Sequence, residues 1–250
     1  MIKLVTFCDK KMTKSADNLA TSAARYGVDE VKIYTPSDLD PMFMAIQKDL
    51  FEEQERYAWY CWKPYIVMDA ILKMDEGSYL IYCDAGNTVV GDVKQVIRCM
   101  DSDVMLFSNG WQHTDWCTGD ILNAINHQQI KITQTMSGQF ADYGELAGKP
   151  QVQASTIFLR VSPASKRFIQ EWYSWSLMPD LISNKPSKLP NSPTFSESRW
   201  DQAILGSMAI KYNMKLRWFP TLTAAHLPKA GEDNYQPILE HHRRRNEEWT

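Results

Sequence analysis

The sequence predicts an α/β fold, a central sheet flanked by helices, on three observations. These are an opening strand-helix-strand unit, a continuous apolar strand that ends abruptly in an acid, and strands that alternate with amphipathic helices as far as Ile125. Ile2 to Cys8 is a nearly unbroken apolar run closed by Asp9. Met12 to Tyr26 then carries Leu19, Ala20, Ala23 and Ala24 at helical spacing, with Gly27 at the stop. Val31 to Tyr34 is the second strand and leaves through the turn Thr35-Pro36-Ser37-Asp38. Such a unit implies parallel strands joined by a right-handed crossover. Open α/β sheets bind ligands at the carboxyl ends of their strands, so Asp9, Tyr34 and Asp38 stand where a nucleotide would sit.

Asp40 to Arg56 reads as an irregular helical segment. Pro64 then suits the first turn of a helix whose apolar face is Tyr65, Met68, Ile71 and Leu72 and which stops at Gly77. Tyr79 to Cys83 is apolar throughout, as a strand buried on both faces must be, and it ends at Asp84-Ala85-Gly86-Asn87. The pattern continues with a helix over 93–100, a strand over 104–107 and a helix over 116–125 capped near Thr118, with Asp120 in its first turn. A polar loop is expected over 133–149, a strand over 153–161, and a helix over 163–175 with Phe168, Ile169 and Trp172 inward. Leu181 to Glu197 holds three prolines and is the longest expected loop, a length typical of lids and binding loops. A helix over 201–212 and a short strand over 214–219 precede a polar tail over 221–250.

The chain has 250 residues, 44% hydrophobic and 23% charged, so it has a core to bury and is neither disordered nor a coiled coil. Its formal charge of −3, with one basic cluster over His241 to Arg245, disfavours duplex nucleic acid as a partner. Five cysteines without CxxC spacing suggest neither a disulfide framework nor a structural zinc site, and a reducing, cytoplasmic setting is expected. No apolar stretch approaches the roughly 18 residues of a membrane span, and neither a signal peptide nor a transmembrane segment is expected. Aromatic residues make up 12%, which fits stacking surfaces for sugars as well as core anchors; Trp59, Trp62, Trp111, Trp116 and Trp200 are candidates for the former.

An acid at the tip of a buried strand is costly unless a cation meets it. Asp84, followed by two small residues that let a ligand approach the backbone, is the candidate for a metal-diphosphate contact, the alternative being a cap on its own turn. Lys63 stands at the partially positive start of a helix, where a diphosphate or donor sugar would gain from both charge and dipole.

Four segments in order, Trp62-Lys63-Pro64-Tyr65, Tyr82-Cys83-Asp84-Ala85-Gly86, Arg199-Trp200-Asp201-Gln202-Ala203-Ile204-Leu205 and His242-Arg243-Arg244-Arg245, resemble the signatures of small GT-A-fold glycosyltransferases of glycan and polysaccharide synthesis. The resemblance spans roughly residues 2 to 245. It implies one domain over 1–250 with a Rossmann-like, mixed central sheet. Residues 1–110 would form the nucleotide-binding half, and 111–250 the acceptor side and the tail. It also implies a nucleotide-diphosphate-sugar donor, a UDP-sugar above all, a glycan hydroxyl as acceptor, and Mn²⁺ or Mg²⁺ as cofactor.

By the same resemblance Asp201 is the catalytic acid, and its role is open. It serves either as general base in an inverting transfer or, paired with Gln202 as in glycogenin-like enzymes, as a group that binds the donor sugar and stabilises developing positive charge. Asp9, Tyr34, Asp38, Lys63, Asp84, Gly86, Gln202 and Arg243 are the expected donor contacts, with Arg243 to Arg245 closing over the diphosphate. The family's metal motif is Asp-x-Asp, and here Gly86 stands at the second acid, leaving Asp84, with donor phosphates and water and with help from His226 or His242, to complete an octahedral site. That departure keeps open a non-catalytic nucleotide- or glycan-binding module on the same fold. A nucleotidyltransferase ranks lowest, since Cys8-Asp9-Lys10-Lys11-Met12 is not a glycine-rich phosphate loop.

Overall fold

The structure is a computed structural model and describes residues 1–53, 56–135, 138–222 and 235–249. The first half runs β1 (Ile2–Phe7), α1 (Thr13–Arg25), β2 (Glu30–Tyr34), α2 (Pro41–Ile46), α3 (Lys48–Glu52), α4 (Arg56–Trp59), α5 (Trp62–Leu72), β3 (Tyr79–Cys83), β4 (Asn87–Val89), α6 (Lys94–Ile97), β5 (Val104–Met105) and β6 (Phe107–Gln112). The second half runs α7 (Gly119–Asn126), β7 (Lys131–Thr135), β8 (Gly138–Asp142), β9 (Pro150–Val152), β10 (Thr156–Arg160), α8 (Pro163–Ser176), α9 (Pro179–Ile182), α10 (Trp200–Lys211), β11 (Arg217–Trp218) and β12 (Leu239–His241).

A five-stranded sheet in the order β2-β1-β3-β10-β5 forms the centre. β1 runs parallel to both β2 and β3, whereas β10 is antiparallel to β3 and β5, so the sheet is mixed and flanked by helices. The double-sided burial expected of β3 follows from its alternation. Leu80 and Tyr82 join the core that α5, α8 and α10 cover, and Ile81 and Cys83 join the core on the α1 side. Every described cysteine is a free thiol, and among the described residues no helix is long and apolar enough to cross a membrane.

Several expectations are corrected. α5 buries Ile66, Val67, Ala70 and Ile71, while Leu72 is exposed, because the helix begins at Trp62 and its inward stripe is turned accordingly. The helix expected over 93–100 is a single turn. The strand expected over 104–107 is divided: β5 stays in the central sheet and β6 joins a second sheet ordered β11-β6-β9. The strand expected over 153–161 is interrupted at 153–155, where the Gln153 amide bonds Phe107, the Ser155 carbonyl accepts from the Asp84 amide, and Ala154 meets Lys63 and Gln202 of the helices. The loop expected over 133–149 contains an antiparallel β7-β8 pair whose residues face solvent, so no apolar alternation marks it. The expected tail contributes β12, which pairs antiparallel with β4 behind the buried Tyr235, Ile238 and Leu239. The long proline-containing loop is tied to the N-terminus of α7: Asp120 accepts from the Lys188 and Leu189 amides, and Asn191 from that of Gly119.

One buried polar centre lies under α10. The His113 ring bonds Gln151 Oε1 at 2.8 Å through Nδ1 and Ser207 Oγ at 2.9 Å through Nε2. Gly206 allows that approach, since a Cβ there would stand 2.4 Å from Gln151 Oε1 and 2.7 Å from the His113 ring. Burial lowers the His113 pKa to about 4, with Gln151 opposing the shift. The unfolded chain binds a proton near pH 6.5 that the folded chain refuses, so this group removes stability as pH falls from about 6.5 to 4. A loss approaching about 3 kcal/mol is expected across that window. Denaturant titrations at pH 7 and pH 4.5 should show it, and His113→Gln should flatten this part of the pH profile.

Candidate functional site

The site forms where three chain segments meet at the carboxyl end of the parallel strands. β3 ends and delivers Asp84. α5 begins and delivers Lys63 as its second residue. α10 begins and delivers Asp201, also as its second residue. The Lys63 ammonium lies 2.9 Å from Asp201 Oδ2 and 3.5 Å from Asp84 Oδ1, and it donates to the Ala154 carbonyl at 3.3 Å. The Ala154 carbonyl is hydrogen-bonded to this ammonium and the two carboxylates are ion-paired with it, Asp201 Oδ2 being buried without a hydrogen bond. The rings of Tyr60 and Tyr82 stand 5.4 and 5.3 Å from the same nitrogen.

Lys63 and Asp201 are 4% and 3% exposed, whereas the Asp84 side chain keeps 37% of its surface. Burial would lower the Lys63 pKa, but the charges of Asp201 and Asp84 more than offset it and hold Lys63 above the ordinary lysine value. Burial pushes the Asp201 carboxyl up to about 6, with Lys63 opposing the shift. Tyr82 donates its hydroxyl to Asp84 Oδ1.

The approach to α5 is strained. Tyr57, Ala58, Trp59 and Tyr60 all have φ between 48° and 62°, a left-handed run for which L-residues forfeit about 1–2 kcal/mol each. Specific contacts hold it. Trp59 Nε1 donates to Glu53 at 2.7 Å, Trp62 Nε1 donates to the Tyr57 carbonyl at 3.1 Å, and the Lys63 amide donates to the Tyr60 carbonyl at 2.9 Å. Trp200, just before Asp201, has φ of 47° and packs its ring 5.5 Å from that of Trp59 and 5.8 Å from that of Tyr60. Strain on both sides of one buried ion cluster is persistent only where the surroundings over-determine it.

The other expected residues divide. Gln202 joins the cluster, its Oε1 accepting from the Ala154 amide at 3.3 Å, next to the carbonyl that Lys63 uses. Gly86 lies against the tail: its carbonyl accepts from the His242 and Arg243 amides, and a Cβ on it would stand 2.9 Å from Arg243 Cα. Tyr34 is withdrawn from the expected nucleotide face, since it is buried and donates its hydroxyl to Asp69. Asp38 closes its own turn, accepting from the Thr35 amide and hydroxyl with Lys32 Nζ at 3.5 Å. Asp9 accepts from the Lys11 amide in the turn after β1. Trp59, Trp62 and Trp200 are buried rather than available for stacking, whereas Trp111 is 45% exposed and stacks on Trp116 at 4.5 Å.

A divalent cation finds a poor donor set here. Oδ1 of Asp84 is engaged by Tyr82 and Lys63, and the room for a carboxylate at position 86 is filled by the Arg243 backbone. His242 Nδ1 accepts from the Arg244 amide, and its ring meets Trp249 edge-on. Among the described residues no three His, Cys, Asp or Glu side chains gather as a metal would need, and His226 lies outside them. Asp84 and His242, whose Nε2 is buried without a partner, thus do not by themselves complete a metal site among the described residues.

Tyr82, Asn87, His241, the Ala154 carbonyl and the left-handed run are missed by the sequence reading. Tyr82 was accessible in principle, because residues two apart on a strand share a face and Tyr82 must flank Asp84.

Replacing Lys63 by Met leaves Asp201 buried without its cation. Folding stability should fall by about 3–5 kcal/mol near neutral pH, and by less toward pH 4, where a protonated Asp201 leaves no buried charge. The double variant Lys63→Met with Asp201→Asn should recover part of that loss, and a double-mutant cycle by chemical denaturation reads the coupling.

No family model matches the chain, and no curated protein matches it. Among solved structures the chain is similar to the apo form of mouse xyloside xylosyltransferase 1, at 10% identity over 96% of this chain and 97% of that one, with a TM-score of 0.44. It is also similar to the apo form of the glycosyltransferase GlyE of Streptococcus pneumoniae TIGR4, at 12% identity over 96% of this chain and 53% of that one, with a TM-score of 0.47.

Proposed function

We propose that the protein is a glycosyltransferase that moves one sugar from a nucleotide-diphosphate-sugar to a hydroxyl of a glycan acceptor. The observation that carries the reading is the buried Lys63 joining Asp84 at a strand tip to Asp201 at a helix start, on the edge of the sheet where α/β proteins take nucleotides. The order of the four motifs supports it.

In this reading Asp84, the exposed member, faces the donor, with Tyr82 and Lys63 fixing its orientation. Lys63 acts by positioning the two acids rather than by gripping the donor, since it is buried and ion-paired with both. The bond between the anomeric carbon and the diphosphate oxygen breaks with its electron pair passing to the diphosphate, and the acceptor oxygen bonds to the carbon. Asp201 has its Oδ2 turned onto Lys63 and is almost wholly buried. That placement supports donor-sugar positioning and stabilisation of the positive charge at the anomeric carbon over general-base catalysis. The acceptor proton then leaves with the diphosphate. UDP is the donor nucleotide of this reading.

The second reading, a non-catalytic nucleotide- or glycan-binding module, is favoured by the missing carboxylate at position 86. One experiment separates the two. UDP, GDP and CDP and their common sugar conjugates are scored for thermal stabilisation, and the conjugate that stabilises is then followed for release of free nucleotide with and without glycan acceptors. A transferase releases nucleotide, and Asp84→Asn reduces release by about tenfold or more. Stabilisation without release on any acceptor assigns the module, and no stabilisation by any conjugate removes the donor site from consideration.

A further inference from the structure

The charge balance of the cluster leaves a problem. Lys63 is one cation against two carboxylates, so the strand tip is one negative charge in surplus, and a donor diphosphate would add more. Positive charge has to come from another element. Among the described residues one element in contact with the strand tip is the tail, which reaches it where Gly86 has no side chain.

There the Arg243 backbone occupies the space that a carboxylate at position 86 would need. The Gly86 carbonyl accepts from the Arg243 amide at 3.0 Å, and a Cβ on Gly86 would be 2.9 Å from Arg243 Cα and 3.5 Å from its Cγ. Arg243 adopts φ of 57°, uncommon for a side-chain-bearing residue. Its guanidinium is exposed and oriented by a relay. Arg243 Nε donates to His241 Nε2 at 2.7 Å; because arginine only donates, that nitrogen must accept. His241 Nδ1 therefore carries the proton and donates to Asn87 Oδ1 at 3.0 Å, and the Asn87 amide donates to the Asp84 carbonyl at 2.8 Å. The relay runs from the backbone of Asp84 to the guanidinium and leaves both terminal nitrogens of Arg243 without a role in it.

We infer that Arg243, held by the Asn87-His241 relay over Gly86, replaces the divalent cation and second carboxylate of an Asp-x-Asp site, so that the donor diphosphate is bound and released without a metal ion. The inference rests on the transferase reading above. A guanidinium presents paired donors to phosphate oxygens, and its charge does not depend on pH, so the negative charge gained when the anomeric bond breaks is met by a fixed cation. His241 is a positioning residue: it touches no diphosphate and acts through Arg243.

Binding of UDP, GDP and CDP, and of the corresponding nucleosides, is measured by calorimetry on the full chain, in EDTA and in MnCl₂. The expected result is that one diphosphate binds with an affinity that agrees within about twofold in the two buffers. Arg243→Asn tolerates the left-handed backbone and should preserve the melting temperature. It should weaken diphosphate binding by about tenfold or more while leaving nucleoside binding unchanged. His241→Phe should give a smaller loss confined to the diphosphate, a phosphate selectivity that a merely structural role would not produce. Diphosphate binding that disappears in EDTA and returns with MnCl₂ overturns the inference and leaves the transferase reading in place. Equal loss of diphosphate and nucleoside in Arg243→Asn also overturns it. Absence of binding by all three diphosphates in both buffers overturns the inference together with the donor site on which it rests.

Discussion

The ion cluster Asp84-Lys63-Asp201 constrains everything around it. A charge buried to this extent is tolerable only where its partners are fixed, so three segments distant in sequence have to arrive together: the end of β3, the start of α5 and the start of α10. The bend at 153–155 supplies the third oxygen to Lys63 and receives Gln202, which explains why the chain leaves the sheet there rather than continuing as one strand. The left-handed run before α5 and the strained Trp200 before α10 are the two backbone adjustments that bring the helix starts into register. Aromatic packing between Trp59, Tyr60 and Trp200 locks them to each other.

Net charge within the cluster then shapes the rest of the site. Because the lysine is consumed internally, it sets the geometry of the acids but adds no positive potential toward solvent. The tail packs against the strand tip from the other side, and glycine at position 86 is what gives it access. One missing side chain thus lets the Arg243 backbone stand where a side chain at position 86 would be, a contact that composition alone would not register.

The fold was legible where burial imposes a period. β1, α1, β2, β3, α8 and α10 carry apolar residues at spacings set by one or two buried faces, and their existence and order follow from that pattern. Elements held by main-chain ladders at the surface carry no such signal, which hid the β7-β8 pair and placed β12 in a featureless tail. At the site, Asp84 was readable at the end of an apolar strand and Lys63 at a helix start, where it was expected against the donor, while Asp201 came from the resemblance. Their mutual engagement was not, because it depends on the left-handed run, whose residues Tyr57 to Tyr60 carry no glycine to announce it. Tyr34 has a partner that was not legible for a related reason: its place at a strand end is fixed by the period, but its hydroxyl is bonded to Asp69 from the adjoining helix.

The meeting of Gly86 with Arg243, and of Lys14 with Asn246 in the same tail, joins parts of the chain separated by more than one hundred and fifty positions. Closing loops of that span is entropically demanding and yields contacts late, after local helices and the neighbouring parallel strands have formed. The Lys63–Asp201 pair closes nearly as long a stretch of chain, so the ion cluster and the tail contact make comparable entropic demands and belong to the same late stage of assembly. Loss of the tail would therefore uncover Gly86 and free the turn before α1 at the same time.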